Sequence, residues 1–148
     1  MKKHNFSFIC ADLSELSKYT KPINRNIYRL MKRALPGAFT FILNANNHVP
    51  KLFKNKKKTV GIRVPKHNVP RLIVELLGRP ILSTSILIDE GKPEFSTNAE
   101  FIHLKYQNMV DCIIDSGNGG LEPSTVVDCT NQELEIIRKG KGDLEQFN

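Results

Sequence analysis

Apolar and polar positions along the chain mark out short strands interleaved with short helices. Phe6-Ser7-Phe8-Ile9-Cys10 reads as a strand, and Asp12-x-x-Glu15 reads as a capping box opening a helix through Leu13, Leu16 and Tyr19. Ile27, Leu30, Met31 and Ala34 recur with helical spacing, with Arg25, Arg29, Lys32 and Arg33 largely off that stripe, until Pro36-Gly37 stops the helix. Phe39 to Leu43 is a strand, Asn44 to Pro50 a loop, and Val60, Ile62 and Val64 alternate in a further strand closed by Pro65. Asn68 to Leu77 has helical character, with Pro70 in its first turn and Gly78 as its stop.

Ile81 to Thr84 suits a buried strand between helices, and Thr97-x-x-Glu100 is a second capping box, opening a helix through Phe101, Leu104 and Tyr106. Val110 to Ile114 and Thr125 to Cys129 read as strands around a hairpin turn at Gly117-Asn118-Gly119-Gly120. Leu134 to Ile137 is the last expected strand, and residues 139–148 form a polar, mobile tail. No internal repeat is present. Strands alternating with helices, then a strand-rich end, predict an α/β layer with a mixed sheet.

A chain of 148 residues is one domain long, so residues 1–148 are expected to form a single domain with its own core. Hydrophobic residues are 40% and charged residues 25%, both globular values, and no apolar run approaches the ~18 residues of a membrane span. The start has no long apolar segment of the signal-peptide kind, and a cytoplasmic location is expected. Cys10, Cys112 and Cys129 sit in apolar runs without metal spacing and are expected to be buried and reduced, and His4, His48, His67 and His103 are scattered singly, so no metal site is predicted.

The net charge of +7 conceals an asymmetry. Residues 1–66 hold 15 basic and 2 acidic side chains, whereas residues 67–148 hold 7 basic and 13 acidic ones. That points to a polyanionic partner for the first half, unless folding mixes the halves into an ordinary surface. Lys51, Lys54, Lys56, Lys57 and Lys58 place five ammonium groups in eight residues, a candidate contact for a phosphate backbone or else a solvated loop. Gly117 to Gly120 fails the dinucleotide-binding spacing, Gly140-Lys141-Gly142 lacks the parts of a phosphate loop, and no catalytic triad or glycosidase carboxylate pair can be assigned. What remains is a set of polar residues at strand ends: Thr59, Arg63, Ser83, Thr84, Ser85, Ser124, Thr125 and Arg138. Guanidinium and hydroxyl groups recurring there can surround a small anion, although serine and threonine are also ordinary turn residues.

Five ordered blocks carry a resemblance across essentially the whole chain. Leu35-Pro36-Gly37-Ala38-Phe39-Thr40-Phe41-Ile42-Leu43, Lys58-Thr59-Val60-Gly61-Ile62-Arg63-Val64-Pro65, Pro80-Ile81-Leu82-Ser83-Thr84-Ser85, Pro123-Ser124-Thr125-Val126-Val127-Asp128 and Ile136-Ile137-Arg138-Lys139-Gly140 resemble the YrdC-like family. His4-Asn5-Phe6 and Asp12-Leu13-Ser14-Glu15-Leu16-Ser17 resemble its YciO branch. The resemblance implies an α/β fold, a twisted mixed sheet with flanking helices around a basic concave cavity that binds double-stranded RNA or tRNA. It also implies L-threonylcarbamoyladenylate synthesis, in which ATP with Mg2+, L-threonine and bicarbonate give threonylcarbamoyl-AMP and pyrophosphate, and a separate threonylcarbamoyl transferase then modifies tRNA. By that resemblance Thr59, Ser85 and Arg138 fall on nucleotide-contacting positions, and Arg63, Ser83 and Ser124 fall near the threonine moiety.

Two departures from the family pattern bear on activity. The family opens with a Pro-Thr-Asp/Glu-Thr-Val-Tyr-Gly-Leu strand, a helix and a Lys-x-Arg motif that have no counterpart here, so the domain is expected to be incomplete at its N-terminus, with Phe6 to Cys10 left as a vulnerable edge. The family's Ser-x-Asn reads Ser85-Ile86-Leu87, as in the YciO branch. The catalytic residues are not assignable, and a synthase, a non-catalytic RNA-binding module and an inactive remnant are the competing expectations.

Overall fold

The computed structural model describes residues 6–50, 58–86 and 91–147. They gather into two compact units, one of Met1–Thr84 with Ser124–Asn148 and one of Ser85–Pro123. The first holds strands β1 (Ser7–Ile9), β2 (Phe39–Asn44), β3 (Thr59–Arg63), β4 (Ile81–Ser83), β5 (Thr125–Asp128) and β6 (Glu135–Arg138), with helices α1 (Arg25–Ala34) and α2 (Asn68–Leu77). The second holds α3 (Ala99–Tyr106), preceded by a 3-10 turn at Pro93–Ser96. Phe95 and Phe101 meet edge to face in this unit, ring centres 4.3 Å apart.

All six strands join one mixed sheet in the order β4-β1-β3-β2-β5-β6. The pairs β1/β3 and β2/β5 are parallel, and the other neighbours are antiparallel. Period-two alternation gives the sheet two unlike faces. Phe8, Phe39, Phe41, Leu43, Val60, Ile62 and Val127 point to a buried side and share one core with Ile27, Met31 and Ala34 of α1. Burying a phenylalanine or isoleucine contributes about 1.5–3 kcal/mol each, so this face sets the register of the strands. Local signals agree with it: Asn24 caps α1 by accepting from Asn26 N, His67 caps α2 by accepting from Val69 N, and Gly78 ends α2 with φ of 65°.

The chain end is a docked segment rather than the mobile polar tail expected from residue 139 onward. Leu144–Phe147 forms a 3-10 turn whose Phe147 ring stands edge-on to Phe39 and Phe41, at 5.3 and 6.3 Å between centres. Gly142 lies so close to Phe39 and Ala38 that a Cβ there would fall 2.8 Å from the Phe39 ring and from Ala38 O. One aromatic residue outweighed a polar neighbourhood.

Other expectations also fail for local reasons. The Asp12 capping box does not form: Asp12 Oδ1 accepts from Ser14 N and Ser14 Oγ, Glu15 pairs with Lys18, and the expected helix shrinks to a 3-10 turn at Leu16–Lys18. Asn98, not Thr97, caps α3, accepting from Glu100 N and Phe101 N. Val110 to Ile114 is no strand, and Val110, Cys112 and Ile114 are exposed, so the expected hairpin at Gly117 is absent. β5 pairs instead with β2 and β6. β4 is an edge strand and half-buried, whereas β1 lies between β4 and β3, so Phe6 to Cys10 is not the open edge expected.

Candidate functional site

The second face of the sheet in the first unit carries the polar residues. Positions alternating with the buried ones, Ser7, Thr40, Ile42, Arg63, Ser83 and Val126, are half-buried. Cross-strand register aligns them. Ile81 pairs with Ile9 and Ile9 with Arg63, while Thr40 pairs with Val126 and Val126 with Arg138. Thr40 and Arg63 are the next residues outward from the Phe41/Ile62 pair, which makes a continuous row of this face from Ile81 to Arg138. A neighbouring row runs through Ser83, Ser7, Gly61 and Ile42. Gly61 leaves this face flat: a Cβ there would stand 3.1 Å from Ser7 Cβ and 3.4 Å from Thr40 Cγ2.

Two hydroxyl clusters tie the face together. Ser7 Oγ and Ser83 Oγ are 3.1 Å apart, and Ser83 Oγ donates to Ser7 O at 3.1 Å. Thr40 Oγ1 and Ser124 Oγ share a 2.8 Å hydrogen bond. Arg138 donates from Nε and Nη2 to Ser124 O at 3.1 and 2.9 Å, and from Nη2 to Ser124 Oγ at 3.3 Å. A forked guanidinium grasping one residue in three bonds is fixed in direction, and its Nη1 remains for another acceptor. Arg63 makes no ion pair among the described residues. Burial first, and the positive charge of Arg138 second, pull its guanidinium below the ordinary arginine value. Arg63 is thus a half-buried cation that feels a second, exposed cation, Arg138.

The remaining sequence-derived residues scatter around this face. Thr59 opens β3 opposite Asn44 and is buried. Ser83 ends β4 and Ser124 precedes β5, as their strand-end placement implied. Ser85 is exposed and belongs to the second unit. Lys58 is exposed, with φ of 57°, immediately before β3, and its carbonyl accepts from Ala45 N at 2.9 Å. Lys51, Lys54, Lys56 and Lys57 lie outside the described residues. Ser7, Thr40 and Gly61 were not singled out from the sequence. Their parity with Arg63 and Ser83 within alternating strands was the available signal.

Two clefts open elsewhere in the first unit. One of about 320 Å³ is lined by Tyr28, Lys32, Leu35, Val64 and Arg71, and one of about 200 Å³ by Cys10, Val74, Glu75 and Arg79. Asp12 borders both; its hydrogen bonds from Ser14, and then the Arg71 charge, hold its carboxyl below the usual range. Among the described residues no three His, Cys, Asp or Glu side chains gather to hold a metal ion, and no helix is long and apolar enough to cross a membrane.

Comparison with known proteins identifies the family of the fold. A family model for Sua5, YciO and YrdC proteins, described as telomere recombination, matches residues 1–140. The chain is 40% identical over 145 residues to YciO of Escherichia coli, covering 97% of this chain and 69% of that protein. It is 33% identical over 139 residues to the threonylcarbamoyl-AMP synthase of Pyrococcus abyssi, covering 93% of this chain and 40% of that protein. The crystal structure of E. coli YciO superposes with a TM-score of 0.87 at 39% identity, over 98% of this chain and 70% of that one. P. abyssi Sua5 complexed with L-threonine superposes with a TM-score of 0.77 at 26% identity, over 93% of this chain and 40% of that one. The mixed sheet, its flanking helices and the five sequence blocks therefore have one source: the chain belongs to the Sua5/YciO/YrdC family.

Proposed function

We propose that the half-buried sheet face is a binding site for an oxyanion-bearing ligand pair, a nucleotide and L-threonine, related to the threonylcarbamoyl-AMP chemistry of the synthase relatives. The single observation that carries this reading is that Arg63 and Arg138 share one row of the face, with Arg63 half-buried and under the influence of the Arg138 charge. An arginine with no ion pair among the described residues, depressed by burial and by a second guanidinium, is unfavourable for the free protein and favourable once a carboxylate or phosphate arrives. In this reading Arg63, Ser83 and Ser124 face the threonine, and Thr59 and Arg138 face the nucleotide. Mg2+ enters on the nucleotide phosphates, since the face offers guanidinium and hydroxyl donors rather than a set of carboxylates. The 33% identity to the P. abyssi threonylcarbamoyl-AMP synthase, and the likeness to P. abyssi Sua5 solved with L-threonine, support the ligand classes.

The test is calorimetric titration of the 148-residue protein with L-threonine and with ATP and Mg2+, beside Arg63→Met and Arg138→Met. Wild type should bind and both variants should lose about tenfold or more, the scale of a hydrogen bond to a charged group. Arg63→Met should melt no lower than wild type, because it removes a partly desolvated and repelled charge. Absence of binding by wild type, or undiminished binding by both variants, would overturn the reading. A second reading, a phosphate-backbone contact with RNA, is favoured by the 15 basic against 2 acidic residues in positions 1–66.

A further inference from the structure

Two hydroxyls in hydrogen-bond contact contribute two protons, and their mutual bond uses one. Thr40 Oγ1 and Ser124 Oγ are such a pair, at 2.8 Å. Ser124 Oγ also accepts from Arg138 Nη2 at 3.3 Å, which occupies a lone pair and consumes no proton. If Ser124 donates to Thr40, the Thr40 proton is left over. If Thr40 donates to Ser124, both Ser124 lone pairs are filled and the Ser124 proton is left over. Either arrangement leaves one proton without an acceptor among the described residues.

Position gives that proton a use. Thr40 stands in the same cross-sheet row as Arg63 and Arg138, and its methyl is on the side of Gly61, 3.4 Å from where a Cβ there would lie. With the methyl fixed toward Gly61, the hydroxyl is fixed toward Ser124, so the row presents a guanidinium, a hydroxyl pair with one spare donor and a second guanidinium. Resting on the reading of this face as an oxyanion site, we propose that the Thr40–Ser124 pair donates a hydrogen bond to the ligand oxyanion held between Arg63 and Arg138, which makes Thr40 a ligand-positioning residue. The two cations supply charge and the hydroxyl pair supplies direction, because a single short donor tolerates far less angular error than a guanidinium field.

Thr40→Val keeps shape and removes the hydroxyl, while Thr40→Ser restores it without the methyl. Calorimetric titration with L-threonine alone and with ATP and Mg2+ alone separates a carboxylate from a phosphate as the accepted oxyanion. Thr40→Val should weaken one of these ligands about tenfold, Thr40→Ser should recover most of the loss, and the other ligand should change little. Thr40→Ala replaces the valine variant should that one fail to fold. Equal binding by Thr40→Val and wild type, with Arg63→Met still defective, overturns the hydroxyl's role and leaves the anion site standing. Equal losses in Thr40→Val and Thr40→Ser also overturn it, since packing would then be the cause. A wild-type protein that binds neither ligand overturns both the site and this role.

Discussion

Thr125 and Gly142 are joined by a hydrogen bond that closes the chain end onto the sheet: Thr125 Oγ1 donates to Gly142 O at 2.8 Å and accepts from Gly140 N at 3.0 Å. The hydroxyl is wholly buried and satisfies two backbone groups that folding removes from water. Thr125→Val keeps the volume of the side chain and orphans both. A loss of about 1–3 kcal/mol in chemical denaturation is the expected result, with a smaller loss for Thr125→Ser. A valine variant as stable as wild type would show that the chain end contributes nothing to the core.

Burial divides the three thiols. Cys10 and Cys129 are buried, and desolvation, helped by Asp12 and Glu15 at the first and Asp128 at the second, pushes each from 9.0 up to about 12. Cys112 is exposed. At pH 8 a disulfide-exchange reagent should therefore titrate one fast thiol in the native protein and three after denaturation. A raised thiol pKa contributes stability that is present below pH 9 and lost as pH rises through about 12. Melting temperature should accordingly fall across that alkaline window, and less steeply in Cys10→Ala with Cys129→Ala.

The contrast between Phe41 and Val110 shows what the sequence made legible. Both sit in apolar runs flanked by polar residues, yet Phe41 is fully buried in a strand and Val110 is exposed in none. The difference lies in partners: β2 finds β3 and β5 on its two sides, and pairing of that kind depends on register between segments far apart in the chain. Helices α1 and α2 were readable because 3.6-residue spacing, Pro36 and Gly78 are local signals. Of the candidate site, the strand-end placement of Arg63, Ser83, Ser124 and Arg138 was readable from the sequence. Thr40 was not, because only pairing across β2 and β5 brings it to Ser124, 84 positions away.

Activity should be far below that of the synthase relatives. Leu87 stands where the resemblance expects an amide side chain. Loss of one preorganised donor at a developing phosphoryl charge commonly costs about 3 kcal/mol of barrier, roughly a hundredfold in rate. The 148-residue protein given ATP, L-threonine and bicarbonate should thus release pyrophosphate about a hundredfold more slowly than a synthase relative. Comparable release would mean that Arg63 and Arg138 suffice for catalysis.

RNA binding, if this chain binds RNA, should be electrostatic and centred on the lysine-rich segment. Lys51, Lys54, Lys56, Lys57 and Lys58 carry a third of the 15 basic charges of residues 1–66. Each lysine that engages a phosphate releases condensed counterions and adds about 0.9 to the slope of log affinity against log salt for a duplex. Lysine is a point charge, and Phe53 is the segment's single aromatic residue, so base-specific readout is not expected. Replacing Lys54, Lys56, Lys57 and Lys58 with alanine should therefore weaken duplex RNA binding across unrelated sequences and flatten the salt slope by up to about 4. Arg63→Ala, which alters the sheet face and not the segment, should leave that slope near the wild-type value. The opposite pattern, an unchanged slope in the quadruple variant and lost binding in Arg63→Ala, would assign the RNA phosphate to the sheet face and leave the lysines to solvent.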